Sequence, residues 1–307
     1  MRLLVWAVLI LLFSLPFLVF FLYTWNKYLA PWLSDRQDRY AKRIPGTSWL
    51  LGASPVTLGS SQAKGAVLFI HGFNGAPDHF ADLPQKVAEE GWYVRVMVLP
   101  GHCTTPRNFL ETSPEEMLDA VIEEIQPLYE RFGNVVLLGH SMGGSLAVLA
   151  AATTSQISGL ILAAPYFGLT RRFPWGPSPE WWVQKLSRYI QWIPFPAIFH
   201  PIRKKSARKK ITAYRWLHAE CGIKAMEIAR RASDPEVLSK IRIPALLIQS
   251  VNDTVTCPLK GQRCFAQLQA PWTESLTVEN SDHILFWDYE APKITQAVLT
   301  FLAKLQP

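Results

Sequence analysis

The sequence predicts an α/β fold: a mostly parallel sheet with helices on both faces, interrupted by an inserted cap and preceded by one transmembrane helix. Three observations carry this expectation. Short continuous apolar runs alternate with helix-period segments from about residue 64 to the C-terminal end, the pattern of strands buried on both faces. The 67 residues from Tyr166 to about Ala232 break that rhythm with Pro, Trp and positive charge and no strand signal. They are too long for a bare loop. Leu3 to Trp25 is a run of 23 residues without a charge.

That first run divides the chain into residues 1–45, an anchor and polar linker, and 46–307, the α/β domain with its cap at about 166–232. At about 1.5 Å per residue it is long enough for a hydrocarbon core of roughly 30 Å. A cleaved signal peptide would carry a shorter apolar region of about 7–15 residues and a small-residue cleavage site. The exit here, "YTWNKYLAPW", is bulky and aromatic, and Trp25, Tyr28 and Trp32 suit a membrane interface. Arg2 flanks one side; Lys27, Arg36, Arg39, Lys42 and Arg43 flank the other. The positive-inside rule then puts the large domain in the cytoplasm.

The elements follow in order. "AVLFIHG" (66–72) is a buried strand ending in a turn, and "FADLPQKVAEEG" a helix closed by Gly91. "YVRVMVLPGHC" (93–103) is a strand stopped at Pro100-Gly101. Ser113, Pro114 and Glu116 form a capping box that opens a helix with apolar positions Met117, Val121, Ile125 and Leu128. "NVVLLGHS" is a strand, "GGSLAVLAAATT" a small-residue helix and "ISGLILAAP" another strand. Beyond the cap come strands in 243–253 and 274–283, then a helix from about Ala291 to Lys304.

The net charge of +7 is unevenly held. Between Tyr166 and Ala232 fourteen Lys and Arg face three acids, and the remainder is net acidic. Six positive charges crowd into Arg203, Lys204, Lys205, Arg208, Lys209 and Lys210. No zinc-finger, helix-turn-helix or RNA-binding signature accompanies them, so nucleic acid is not expected as a partner. A solvated face and contact with anionic lipid headgroups both fit the run. Upstream, "PEWWVQKLSRYIQWIP" (179–194) reads as an amphipathic helix with Trp182, Leu186, Tyr189, Ile190 and Ile193 on one face. It could pack on the core, line an acyl pocket or lie in a bilayer interface. The four cysteines show no CxxC spacing and read as scattered thiols, and no metal or cofactor motif is present.

Gly139-His140-Ser141-Met142-Gly143 falls between a strand and a helix, the G-x-S-x-G nucleophile elbow in its expected context. The turn is so tight that a Cβ at Gly139 or Gly143 would strike neighbouring backbone, and Ser141 must be strained to present its Oγ. A serine nucleophile needs a base and a group to orient it. His283 alone among the seven histidines follows Ser141 and a late strand. Asp253 ends the strand "LLIQSVND", at the sheet edge where functional side chains gather. Asp234 sits in "SDPE", a helix-start context, and Asp282 and Asp288 are too near His283 in sequence to orient it. Two backbone N–H groups should face the developing oxyanion: that of Met142, and that of Phe73 in "FIHGFNG". His71 reads as structural, bonded to backbone.

"HGFNG", "PGH", "GHSMGG", "LLIQSVNDTV" and "ENSDHILFWDYE" together resemble the α/β-hydrolase fold, and within it the monoacylglycerol lipase and carboxylesterase group, over about residues 64–305. The resemblance implies Ser141 as nucleophile, Asp253 as acid, His283 as base, Phe73 and Met142 as oxyanion donors, and no cofactor. It implies an ester hydrolase working through an acyl-enzyme; the anchor and the apolar cap point to a medium or long acyl ester such as a monoacylglycerol or lysophospholipid as substrate. An acyltransferase on the same fold and a non-catalytic membrane scaffold are the rival readings. Two departures stand out: Cys103 ends "PGHC" where the family usually has "GHG", and the cap is longer and more basic than a compact lid.

Overall fold

A computed structural model describes residues 14, 16–171 and 175–305. Seven strands form the main sheet: β1 (Val56–Leu58), β2 (Ala66–Ile70), β3 (Tyr93–Val96), β4 (Val135–His140), β5 (Gly159–Ala163), β8 (Ala245–Ser250) and β9 (Thr273–Val278). The two missing numbers, β6 (Trp192–Pro194) and β7 (Trp216–His218), form a separate antiparallel ribbon inside the insertion. Across the main sheet the order is β1-β3-β2-β4-β5-β8-β9, parallel throughout except for β1, which runs antiparallel to β3.

The helices are α1 (Ala30–Arg39), α2 (Leu83–Glu89), α3 (Pro106–Glu111), α4 (Pro114–Phe132), α5 (Met142–Thr153), α6 (Pro179–Leu186), α7 (Ala219–Ala232), α8 (Pro235–Leu238), α9 (Pro258–Phe265) and α10 (Ala291–Lys304). Strand alternation sorts the core into two layers. Leu68, Ile70, Leu137, Leu160 and Leu162 pack with α4, α5 and α7 on one face. Val67, Phe69, Val136, Leu138 and Ile161 pack with α10 on the other. The capping box at Ser113 forms in both directions, and Gly133 closes α4 at φ +67°.

The insertion leaves the sheet after β5 and rejoins it at β8. Its helix α7 packs on α5 through Ala225, Ile228 and Ala229, so this stretch belongs to the core layer. The expected helix over 179–194 is shorter. It stops at Leu186, and Trp192–Pro194 turns into a strand because residues 216–218 offer it a partner. None of the residues of α6 is buried. Trp181, Trp182, Leu186, Tyr189 and Ile190 are exposed, and Trp175 is 91 % exposed. The helix leans on α7, and much of its apolar face stays open.

Most of the apolar run expected to anchor the chain lies outside the described residues. Residues 16–24 are helical and lead through a π-helical turn (Trp25–Leu29) into α1. Phe17, Leu18, Val19, Phe20, Phe21 and Tyr23 expose their side chains. Among the described residues no helix is long and apolar enough to cross a membrane. The described part is docked on the insertion: the Asn26 amide donates to the Tyr189 carbonyl at 2.6 Å and accepts from the Gln191 N–H at 2.9 Å. Trp25 packs on Trp216 of β7 at 6.0 Å between ring centroids.

The basic run is also docked. Asp288 accepts from the backbone N–H groups of Arg203 and Lys204 at 2.8 and 3.0 Å. Ile202, Ala207 and Ile211 pack against Ile284, one residue past His283. Arg208 donates to the carbonyls of Ile202 and Ile198. Arg203 and the four lysines keep exposed side chains on this fixed backbone.

Candidate active site

Three strand ends converge at the carboxyl edge of the sheet. Ser141 follows β4, Asp253 follows β8 and His283 follows β9. Ser141 holds φ +55° and ψ −121°, a region a side chain rarely adopts, and its N–H donates to Ala163 O at 3.0 Å. The glycines explain how the elbow closes. A Cβ on Gly139 would lie 2.4 Å from Gly143 O; one on Gly143 would lie 2.1 Å from Ile70 O. One on Gly72 would lie 2.8 Å from the Ser141 Cβ. Each neighbour is held by the fold, so no side chain fits at these places.

The side chains form one relay. Asp253 Oδ2 is 2.8 Å from His283 Nδ1, and His283 Nε2 is 2.9 Å from Ser141 Oγ. A carboxylate only accepts, so Nδ1 carries the proton and Nε2 is left to accept from the serine hydroxyl. Ser141, Asp253 and His283 are 6, 3 and 5 % exposed. Burial raises the proton affinity of the Asp253 carboxyl. The adjacent His283 and the donors from Val255 and Thr256 outweigh it, and its pKa lies below the ordinary value. The buried acid therefore stays ionised.

The oxyanion candidates sit on either side of the serine. Met142 is the first residue of α5, where a helix leaves its N–H without an intrahelical acceptor. Phe73 lies inside the turn closed by Gly75 N–H to Gly72 O. Among the described residues neither the Phe73 nor the Met142 N–H is used in another hydrogen bond. His71 is structural, as its place in the sequence implies. Its Nδ1 donates to Gly72 O and its Nε2 accepts from Leu99 N–H. Burial holds it well below the usual histidine value, hence neutral.

Other residues of the site were not legible beforehand. Thr256 donates through its N–H to Asp253 Oδ1 at 2.7 Å and through its hydroxyl to Oδ2 at 2.8 Å. The signal was the local "DTVT" pattern, a carboxylate followed by hydroxyl residues that can return to it. His140 donates from Nε2 to His283 O at 3.0 Å and fixes the loop of the base. Burial depresses it to about 3, so it stays neutral beside His283. Nothing in the sequence marked it. Asp282 serves Thr254 and its own loop, and Asp288 the basic run, while Asp234 caps α8. Cys103 takes φ +60°, the left-handed region that favours glycine, and its buried thiol reaches Gly75 O at 3.4 Å.

The comparisons with known proteins agree with this geometry. The family model described as serine aminopeptidase, S33, matches residues 61–290. The chain belongs to that family. Within it, the chain is 26 % identical over 246 residues to a thermostable monoacylglycerol lipase of Bacillus sp. (strain H-257), covering 78 % of this chain and 90 % of the relative. It is 26 % identical over 257 residues to a putative esterase/lipase of Mycoplasma pneumoniae, covering 79 % and 92 %. The monoacylglycerol lipase structure from Paleococcus ferrophilus superposes with a TM-score of 0.68 at 21 % identity, over 82 % of this chain and 98 % of that one. At that identity the likeness is one of fold: an α/β-hydrolase with a mostly parallel sheet.

Proposed function

We propose that the chain is a serine ester hydrolase with Ser141 as nucleophile, His283 as general base and acid, and Asp253 as the group that holds His283. The continuous Ser141–His283–Asp253 relay carries this reading. His283 takes the Ser141 proton as Oγ attacks the ester carbonyl. The carbonyl oxygen becomes an oxyanion between the N–H groups of Phe73 and Met142. Collapse expels the alcohol, which takes the proton from His283. Water then repeats the sequence against the acyl-enzyme and frees the acid. The ionised Asp253 stabilises the imidazolium at both stages.

The substrate is proposed to be a lipid acyl ester, a monoacylglycerol or lysophospholipid, with the enzyme held at a membrane. The Bacillus relative is named a monoacylglycerol lipase. Exposed apolar side chains on residues 17–32 and on α6 and its flank support a lipid surface. The flanking lysines at 204, 205, 209 and 210 suit anionic headgroups. The catalytic side is proposed to be cytoplasmic, from the charges after residue 25; protease protection in sealed vesicles tests that.

The test of substrate is a screen of the purified full-length chain against monoacylglycerols, lysophospholipids and acetyl esters, with Ser141→Ala as blank. Preference for long acyl chains is expected. Turnover of acetyl esters with rejection of long-chain monoglycerides would remove the lipid assignment. Replacing Lys204, Lys205, Lys209 and Lys210 by Gln should weaken activity on anionic vesicles and spare a soluble ester; equal loss on both would reduce the run to a folding role.

A further inference from the structure

The loop carrying the Phe73 N–H is held largely by side chains, among them His71 on Gly72 O and the Cys103 thiol on Gly75 O. Its single internal backbone bond is Gly75 N–H to Gly72 O. Asn74, the residue after the donor, holds φ +52°, a left-handed backbone that asparagine tolerates better than most side chains. Both ends of its amide bond to the insertion. Asn74 Nδ2 donates to Tyr214 O at 3.1 Å, and Asn74 Oδ1 accepts from Tyr214 N–H at 2.7 Å. The side chain thus pairs with an insertion residue as a neighbouring strand would.

Tyr214 is a fixed point. It is buried, its hydroxyl donates to Gly101 O at 2.9 Å and accepts from Thr104 N–H at 2.7 Å. Two residues earlier, Thr212 N–H donates to Asp78 Oδ2, and its carbonyl accepts from His79 Nε2. Residues 212–214 of the insertion are therefore laced to residues 74–79, immediately after the oxyanion donor. The 140 residues between Asn74 and Tyr214 make this a contact of tertiary structure alone.

We infer that Asn74 is a positioning residue for the oxyanion hole: its amide fixes the loop bearing the Phe73 N–H to the insertion at Tyr214, so the insertion sets the donor's aim. This rests on the ester-hydrolase reading above and adds to it a defined link between cap and catalysis. Asn74 itself does not touch the reacting atoms.

The experiment is a kinetic comparison of the full-length chain with Asn74→Gly, using a matched soluble oxoester and thionoester. Glycine accepts φ +52° without strain, so the change removes the amide and leaves the turn. The sulfur of a thionoester is larger and accepts hydrogen bonds weakly, so it draws little from the oxyanion hole. Losing one such donor costs about 10²–10³-fold; a misaimed donor keeps part of that. The expected result is a kcat on the oxoester reduced about 10–100-fold, KM within about threefold, and the thionoester nearly unchanged. Should Asn74→Gly not fold, Asn74→Asp, which keeps the acceptor for Tyr214 N–H, is read in the same way and should lower the same ratio. An unchanged oxoester-to-thionoester ratio, with or without a lower Tm, would overturn the inference and leave Asn74 a turn stabiliser. Absence of any Ser141-dependent turnover by the wild type would instead remove the ester-hydrolase reading, and this inference with it.

Discussion

Replacing Gly143 by alanine probes the elbow through sterics alone. The new Cβ would lie 2.1 Å from Ile70 O and 2.5 Å from His71 O. Carbon and carbonyl oxygen rest at about 3.3–3.6 Å even when weakly attracted. The end of β2 and the start of α5 must therefore part by roughly 1 Å. Neither can yield cheaply, because Ile70 pairs with Gly139 in the sheet and α5 is buried along its first turns. Overpacking of this kind costs about 1–3 kcal/mol, which for a domain of this size lowers Tm by roughly 2–12 °C. The displaced segment runs straight into Gly72 and Phe73, and a 1 Å error in catalytic geometry costs about 10²-fold. Turnover of a soluble ester and a thermal melt read both effects. The neighbouring Gly144→Ala is the control. Its Cβ would meet Pro165 at 3.1 Å, which a small shift relieves, so activity should stay within about tenfold. A Gly143→Ala protein within threefold of wild type and with the same Tm would refute the steric reasoning.

Asp253→Asn should lower kcat about 10³–10⁴-fold with little change in KM, because an amide that donates to Nδ1 leaves His283 in the wrong tautomer; steady-state kinetics checks this. Acid should destabilise the fold below pH 6.5. Burial depresses His79 and His102 to about 4 and His140 to about 3, and holds His71 well below its ordinary value. All four bind protons more readily when unfolded, so their contribution is complete above pH 6.5 and is lost as pH falls toward the folded values. Asp78, raised by burial to about 6, acts in the opposite sense over pH 4–6 and offsets a small part. Urea unfolding at pH 7.5 and 5.5 should differ by on the order of 4 kcal/mol; equal stabilities would contradict the buried neutral histidines. Asn26→Ala should loosen the insertion where the N-terminal helix meets it. Loss of its two bonds to backbone, at about 1 kcal/mol each, should raise hydrogen exchange at Gln191 about 30-fold, without a matching rise in β4.

The sheet and the relay were readable because each rests on local rules. Buried strands are short apolar runs, and the segments ending at His140, Ala163 and Ser250 read as such. Gly139 and Gly143 declare the elbow since only glycine fits between two backbones. Chain order then singles out His283 and the strand end Asp253. The capping box at Ser113 and the Asp234 cap are likewise local. The insertion showed itself as a break in the strand rhythm, but its internal structure was not readable, because long-range partners decide it. Trp192–Pro194 becomes a strand only where Trp216–His218 lies alongside, and residues 187–190 do not extend α6. Helix α7 buries mostly small residues, Ala219, Cys221, Ala225 and Ala229, together with Ile228. The backbone support that Asp288 gives to the basic run, and the Asn74–Tyr214 pairing, join positions more than 80 residues apart. Cys103 looked like a break in the family pattern; its φ of +60° lies where glycine is at ease and costs a cysteine about 1–2 kcal/mol.

The most direct measurement is covalent labelling of the full-length chain with a fluorophosphonate, followed by mass-spectrometric location of the adduct. A hydroxyl 2.9 Å from a basic imidazole nitrogen should be phosphonylated. The expected result is one adduct on Ser141, absent from Ser141→Ala and strongly slowed in His283→Ala. A wild-type chain that stays unlabelled, or is labelled at another serine, would contradict the assignment of Ser141 as the nucleophile.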